Sequence, residues 1–230
     1  IPDKIISCSN NATKEHILRG YCENKIFFIP NGIDLNEWNN ERKNNERKNK
    51  NIKPIFGVIA RWDKQKDFKT MFKAFEIIDH SNNWELILIG DELNYNNKEL
   101  VKLSRVIKRN KVVFMGLKDN VKSLIQNFDF LILSSKSEGF PNVILEAMSQ
   151  GIPSIATDVG DVKEIVADSG WVVEKQNPKK LSDAIINAIN YFKSGDDYKS
   201  KISYEIVKSK YEIDIIKEKY IDIWMSLVKK

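Results

Sequence analysis

The feature that most constrains this chain is a rhythm that begins at Pro54: short apolar runs alternate with stretches whose apolar residues recur at helical spacing. The runs predict strands at Ile55–Ile59, Leu86–Ile89, Val112–Met115, Phe130–Leu133, Ser154–Thr157 and Trp171–Val173. Between them, Phe68, Met71, Phe72, Phe75 and Ile78 share one helix face. Val121, Leu124, Ile125 and Phe128 form a shorter stripe, and Leu181, Ala184, Ile185, Ala188, Ile189 and Phe192 a longer one. Alternating units of this kind imply an α/β fold, a doubly wound parallel sheet with helices on both faces.

Two segments lie outside the rhythm. Ile5-Ile6 reads as a short strand, followed by a helix from Ser9-Asn10, as if the chain opened in the middle of something larger. At the other end Ile213, Ile216, Tyr220, Ile223, Trp224 and Leu227 have helical spacing but feed no further strand, so that helix must pack elsewhere. Asn36 to Lys50 holds a near-repeat, Glu41-Arg-Lys-Asn-Asn then Glu46-Arg-Lys-Asn-Lys, and is expected to be a polar surface linker.

With 42% hydrophobic residues among 230, the chain has material for a substantial core. A net charge of +5 permits an anionic ligand. The aromatic residues, however, sit in periodic core positions and do not interleave with a basic stripe, which argues against nucleic acid. No stretch approaches the roughly 18 apolar residues of a spanning helix, and Cys8 and Cys22 outline no disulfide framework, so a cytoplasmic location is expected. Cys8, His16 and Cys22 match no zinc spacing; no metal is expected.

In a doubly wound sheet, ligands bind beyond the carboxyl ends of the strands. Arg61, Lys64 and Lys66 follow the strand ending at Ile59, where Arg61 and Lys66 could together neutralise a diphosphate; a solvated basic loop would look the same. Gly90 and Gly116 each follow an apolar run, allowing either close approach to a ligand or a sharp turn. Neither a P-loop nor Gly-x-Gly-x-x-Gly occurs, which removes nucleotidases and dinucleotide oxidoreductases of those types.

The densest signal is Ser137-Glu-Gly-Phe-Pro-Asn-Val-Ile-Leu-Glu-Ala-Met-Ser-Gln-Gly151. Pro141 suits the first turn of a helix and Gly151 its stop, predicting a helix over about 141–150 with its amino end at the cleft. Phe140, Asn142 and Val143 then offer amides to an anion, and Pro141 offers none. Glu138 and Glu146 would repel phosphate alone; they make sense as acceptors for sugar hydroxyls on either side of it.

Glu138-Gly-Phe-Pro-Asn-Val-Ile-Leu-Glu146-Ala-Met, then Gly151-Ile-Pro153 and Asp158-Val-Gly160, resembles the donor-binding half of retaining GT-B nucleotide-sugar glycosyltransferases, the glycosyltransferase family 4 group. Pro30-Asn-Gly-Ile-Asp34, Ala60-Arg61 with Lys66, Gly90-Asp91 and Phe114-Met115-Gly116 fall in the family's order, so the likeness extends over nearly the whole chain.

The resemblance implies a transferase that moves a sugar from a nucleoside-diphosphate sugar to a glycan or lipid-linked acceptor with retention, without metal or other cofactor. Arg61 and Lys66 match the pair on the diphosphate, Glu138 the glutamate facing the sugar, and Glu146 the one on the ribose. Gly139, Phe140, Pro141, Asn142 and Val143 match phosphate and sugar contacts; Gly90, Met115, Gly116 and Leu117 match the nucleotide side. Departures are Ala60, Asp67 and Asp161, each where the family usually has glycine.

By the same resemblance, residues 1–34 are the tail of an N-terminal acceptor domain, 35–51 a linker, 52–210 the donor domain, and 211–230 a helix crossing back. A fragment lacking the acceptor half would be inactive alone. Cell-envelope polysaccharide or glycolipid synthesis, at the inner face of the plasma membrane, is the implied setting. A non-catalytic nucleotide-sugar-binding module, a sugar-nucleotide epimerase and a phosphorylase are the alternatives.

Overall fold

A computed structural model describes residues 2–38 and 53–228. The chain opens with β1 (Ile5–Ser7), α1 (Asn10–Leu18) and β2 (Ile26–Phe28), in which β1 and β2 pair in parallel. Ser9 caps α1, its hydroxyl accepting from the Ala12 amide at 3.2 Å, so the expected strand and helix are both present. The sequence reading missed β2, because a three-residue run offers no period to recognise. The first part of the expected linker, Leu35–Trp38, is instead a short helix, α2, with Leu35 and Trp38 packed on the core; the remainder, 39–51, lies outside the described residues.

The main sheet is formed by β3 (Ile55–Ile59), β4 (Glu85–Ile89), β5 (Lys111–Gly116), β6 (Phe130–Leu133), β7 (Ser154–Thr157) and β8 (Trp171–Val173). Its order is β5-β4-β3-β6-β7-β8 and every neighbouring pair is parallel. The chain therefore winds outward from β3 in one direction, returns, and winds outward from β6 in the other. That reversal places the topological switch point between β3 and β6. All six expected strands are present, four with the predicted limits, while β4 begins one residue earlier and β5 is longer by one residue at each end.

One face is covered by α3 (Phe68–Ile78), α4 (Lys98–Ser104) and α8 (Pro178–Ser194). The α3 stripe predicted from period is at most 3% exposed throughout, which makes it core. It meets Phe56, Phe130 and Trp84 in an aromatic cluster, with ring centroids 5.4 Å apart for Phe56–Phe75 and 4.6 Å for Phe75–Trp84.

The other face is covered by α5 (Val121–Ile125), α6 (Asn142–Ser149), α7 (Val162–Val166) and α9 (Tyr198–Lys210). The final helix, α10 (Ile213–Val228), is anchored at its start, where Ile213 N donates to Ile33 O at 3.0 Å and Ile216 is buried. Along the rest of its predicted apolar face Ile213, Tyr220 and Ile223 are half-buried, whereas Trp224 and Leu227 are exposed.

Candidate functional site

β3 and β6 lie side by side at the switch point and feed two loops, 60–67 and 134–141, that rise over the carboxyl edge of the sheet. Polar bonds fasten the loops to each other: Gln65 Nε2 donates to Ser137 O, Lys136 N to Gln65 O, and Ser134 Oγ to Lys66 O, each at 2.7 Å. Between them Lys66 and Glu138 meet, Nζ to Oε1 at 2.6 Å, with side chains only 22% and 13% exposed. The same Oε1 accepts from Ser135 Oγ at 2.6 Å, whereas Oε2 has no partner among the described residues. Glu138 is thus held by one oxygen and free at the other.

Arg61 stands apart from this pair. Its guanidinium is exposed, with Nε 3.4 Å from Asp63 Oδ2. A hydrogen bond from the Gln65 amide, with Arg61 adding to it, holds the Asp63 carboxyl below the ordinary range. The two expected diphosphate groups therefore occupy different environments, one engaged and one open.

Asp67, where the resemblance expects glycine, adopts a left-handed φ of +48°. An aspartate tolerates that region, and this one caps α3, accepting from Thr70 Oγ1 at 2.7 Å and Thr70 N at 3.4 Å. The departure replaces the freedom of glycine with a cap and leaves Lys66 in place.

Pro141 is not in the first turn of α6 as the sequence suggested. It is the residue before it, with an extended ψ of 96°, and its carbonyl accepts from Ile144 N at 3.0 Å to close that turn. The helix begins at Asn142 and ends at Ser149, with Gly151 at φ +63° just beyond. The amides of Phe140, Asn142 and Val143 have no hydrogen-bond acceptor among the described residues, so the helix amino end presents free donors. Asn31 Nδ2 donates to Asn142 Oδ1 at 2.7 Å and secures that end.

Glu146 follows one turn into α6, half-buried, and no side chain pairs with its carboxylate among the described residues. Burial pushes its carboxyl pKa up. A desolvated carboxylate without a partner is a strong acceptor for hydroxyl groups.

On the β4–β5 side, Gly90 has φ +142°, and an added Cβ would lie 1.8 Å from Ala60 O. Its close approach is to protein backbone. Gly90 N donates to Gly116 O at 2.9 Å and Gly116 N to Leu93 O at 2.8 Å, which laces the three loop starts together. Met115 is half-buried in the core and Leu117 is exposed beside it. An added Cβ on Gly139 would meet nothing within 4 Å.

Several contributors escaped the sequence reading. Ser134 and Ser135 close β6 and hold Lys66 and Glu138, and Thr157 Oγ1 donates to Ser135 O at 2.6 Å from the neighbouring strand. Polar residues directly after an apolar strand were the available signal. Among the described residues no cluster of three or more His, Cys, Asp or Glu could hold a metal ion, and no helix is long and apolar enough to cross a membrane. Cys8 and Cys22 are both free and exposed.

A doubly wound sheet whose switch-point loops join a lysine, a half-free glutamate and an open helix amino end sets side by side groups whose chemistry suits an anionic ligand bearing hydroxyl groups. A profile of the family Glycosyl transferases group 1 matches residues 53–191, well over half of the chain, and the chain belongs to that family. It is 31% identical over 164 residues to an uncharacterized glycosyltransferase of Methanocaldococcus jannaschii, covering 65% of this chain and 44% of that one. It is 27% identical over 220 residues to the Campylobacter jejuni N,N'-diacetylbacillosaminyl-diphospho-undecaprenol alpha-1,3-N-acetylgalactosaminyltransferase, covering 91% of this chain and 57% of that one.

The crystal structure of Anabaena Alr3699/HepE in complex with UDP and glucose has the same fold, with a TM-score of 0.80 and 20% identity over 98% of this chain and 64% of that chain. The fold is the Rossmann-like half of a GT-B glycosyltransferase, and the chain spans about half the length of the two sequence relatives.

Proposed function

We propose that this chain carries the donor site of a retaining glycosyltransferase that uses a nucleoside-diphosphate sugar. The observation that carries this reading is the convergence, across the β3/β6 switch point, of Lys66, Glu138 and the free amino end of α6, with Glu146 unpaired one turn further on.

Negative charge grows on the diphosphate as the glycosidic bond breaks. Lys66, Arg61 and the amides of Phe140, Asn142 and Val143 would meet that charge where it develops, each well-placed donor contributing roughly 3 to 4 kcal/mol. Binding would require Lys66 to share itself between Glu138 and phosphate. Glu138, fixed through Oε1 by Ser135, would present Oε2 to the sugar as an orienting acceptor. Glu146 would accept from ribose hydroxyls, while Gly90, Met115, Gly116 and Leu117 border the base. No metal is assigned a role.

A lipid-linked acceptor is the reading favoured for the other substrate, because the Campylobacter relative's name specifies an undecaprenol diphosphate. Work at the cytoplasmic face of an anionic membrane would suit a net charge of +5. Acceptor recognition and turnover are assigned to the fuller length that the relatives possess.

Calorimetry with UDP, GDP and ADP and their glucose and N-acetylglucosamine conjugates tests the donor site, with Lys66→Ala, Arg61→Ala and Glu146→Ala as controls. Binding of one nucleotide series, weakened about tenfold or more in the variants, supports the reading. Binding that the variants leave unchanged, or no binding at all, overturns it.

A further inference from the structure

Asp161 stands where the family usually has a second glycine, and it is only 3% exposed, so a carboxylate there needs partners. They come from the other end of the chain. Oδ2 accepts from Asn10 N at 2.6 Å, and Oδ1 accepts from Asn11 N at 2.9 Å and from Ser9 Oγ at 3.2 Å. These are the first amides of α1, which have no acceptor within the helix. Ser9 caps the next amide from within, so Asp161 completes the cap from outside.

The backbone around Asp161 faces the opposite way, onto the loop that carries Glu138. Gly160 has φ +56°, and an added Cβ would fall 2.3 Å from Glu138 O and 2.5 Å from Gly139 O. Asp161 N donates to Gly139 O at 3.5 Å. The ring of Phe140, next in that loop, lies 5.9 Å from Tyr211. Tyr211 also accepts, through its carbonyl, from Ile33 N at 2.8 Å. The 160–161 turn is therefore wedged between α1 and the Glu138 loop, with its side chain gripping one and its backbone pressed on the other.

We propose that Asp161 is a positioning residue that couples the Glu138–Phe140 loop to the β1-α1-β2 unit. A displacement of α1 is passed through the carboxylate to the backbone on which Glu138 sits. The importance of that loop for a donor sugar rests on the function proposed above; the coupling itself does not, and it can be measured without ligand.

The test compares wild type, Asp161→Asn and Asp161→Gly by hydrogen exchange and 15N relaxation, with the amides of Leu86 and Leu88 in β4 as fold controls. In Asp161→Gly, exchange at Asn10 and Asn11 should rise about tenfold or more. The order parameters of Gly139 and Phe140 should fall at the same time toward the range of flexible backbone. Asp161→Asn, which keeps one acceptor oxygen, should give intermediate values for both, and it decides the matter if Asp161→Gly does not fold.

Faster exchange at Asn10 and Asn11 with Gly139 and Phe140 unchanged would reduce Asp161 to a helix cap and overturn the coupling. Unchanged exchange at Asn10 and Asn11 would overturn the contact itself. A wild-type protein that binds no UDP-glucose or UDP-N-acetylglucosamine would sink the donor reading while these two readouts still decide the coupling.

Discussion

Replacing Lys66 with Met and Glu138 with Gln, singly and together, measures the interaction at the centre of the crevice. At 2.6 Å, and with an effective dielectric near 20, the attraction between these charges is about 6 kcal/mol before desolvation is subtracted. The side chains are 22% and 13% exposed, so the pair lies between surface pairs worth about 0.2 to 1 kcal/mol and fully buried ones whose breakage costs about 3 to 5 kcal/mol. A coupling of about 1 to 3 kcal/mol is expected, read as the shortfall of the double variant's loss relative to the sum of the singles in urea unfolding. Gln at 138 keeps an acceptor for Ser135 Oγ, so the cycle isolates the charge contact.

Saturating UDP should then shrink the coupling, because phosphate shares Lys66 with the carboxylate and weakens their contact. A coupling below about 0.5 kcal/mol in the free protein would refute the view that this contact organises the crevice.

The half-buried Glu146 has a raised pKa, so its contribution to stability is present below its unfolded value and is lost as pH rises through the folded one. Thermal melts should therefore show Glu146→Gln more stable than wild type at pH 7, with the gap closing toward pH 4, while nucleotide binding weakens about tenfold. Gly160→Ala, with φ +56° and a Cβ 2.3 Å from Glu138 O, should cost at least about 1 kcal/mol more in urea unfolding than Gly195→Ala, whose φ is +74° but whose Cβ meets nothing within 4 Å. Tyr211, whose pKa burial pushes up to about 12 with Asp161 adding to the shift, should ionise late in an ultraviolet titration. Its contribution to stability is lost between pH 10 and 12, a loss that Tyr211→Phe should remove.

Periodicity and strand-end punctuation made most of the main sheet legible. Ile55–Ile59, Phe130–Leu133, Ser154–Thr157 and Trp171–Val173 were found with their observed limits, because a short run rich in apolar and β-branched residues between turn signals marks a strand of a covered parallel sheet. The short elements β2, α2, α7 and the weakly amphipathic α9 were not legible, since their few buried residues are fixed by contacts from distant parts of the chain. Pro141 was misplaced by one position because its fixed φ suits both the first turn and the residue before it, and only ψ separates them.

The sequence by itself determined the α/β class, the strand-end placement of Arg61, Lys66, Glu138 and the α6 amino end, and the family. These follow from local pattern, which each segment carries whatever its neighbours do. Only the tertiary structure decided who meets whom. It showed that Lys66 is already paired with Glu138 and that Ser135 locks one glutamate oxygen. It also showed that Gly90 yields to Ala60 and that Asp161 reaches the amides of α1. Lys66 and Glu138 lie 72 positions apart and Asn10 and Asp161 lie 151 apart, and no local period encodes such contacts, because the order of strands in the sheet is what brings their ends together.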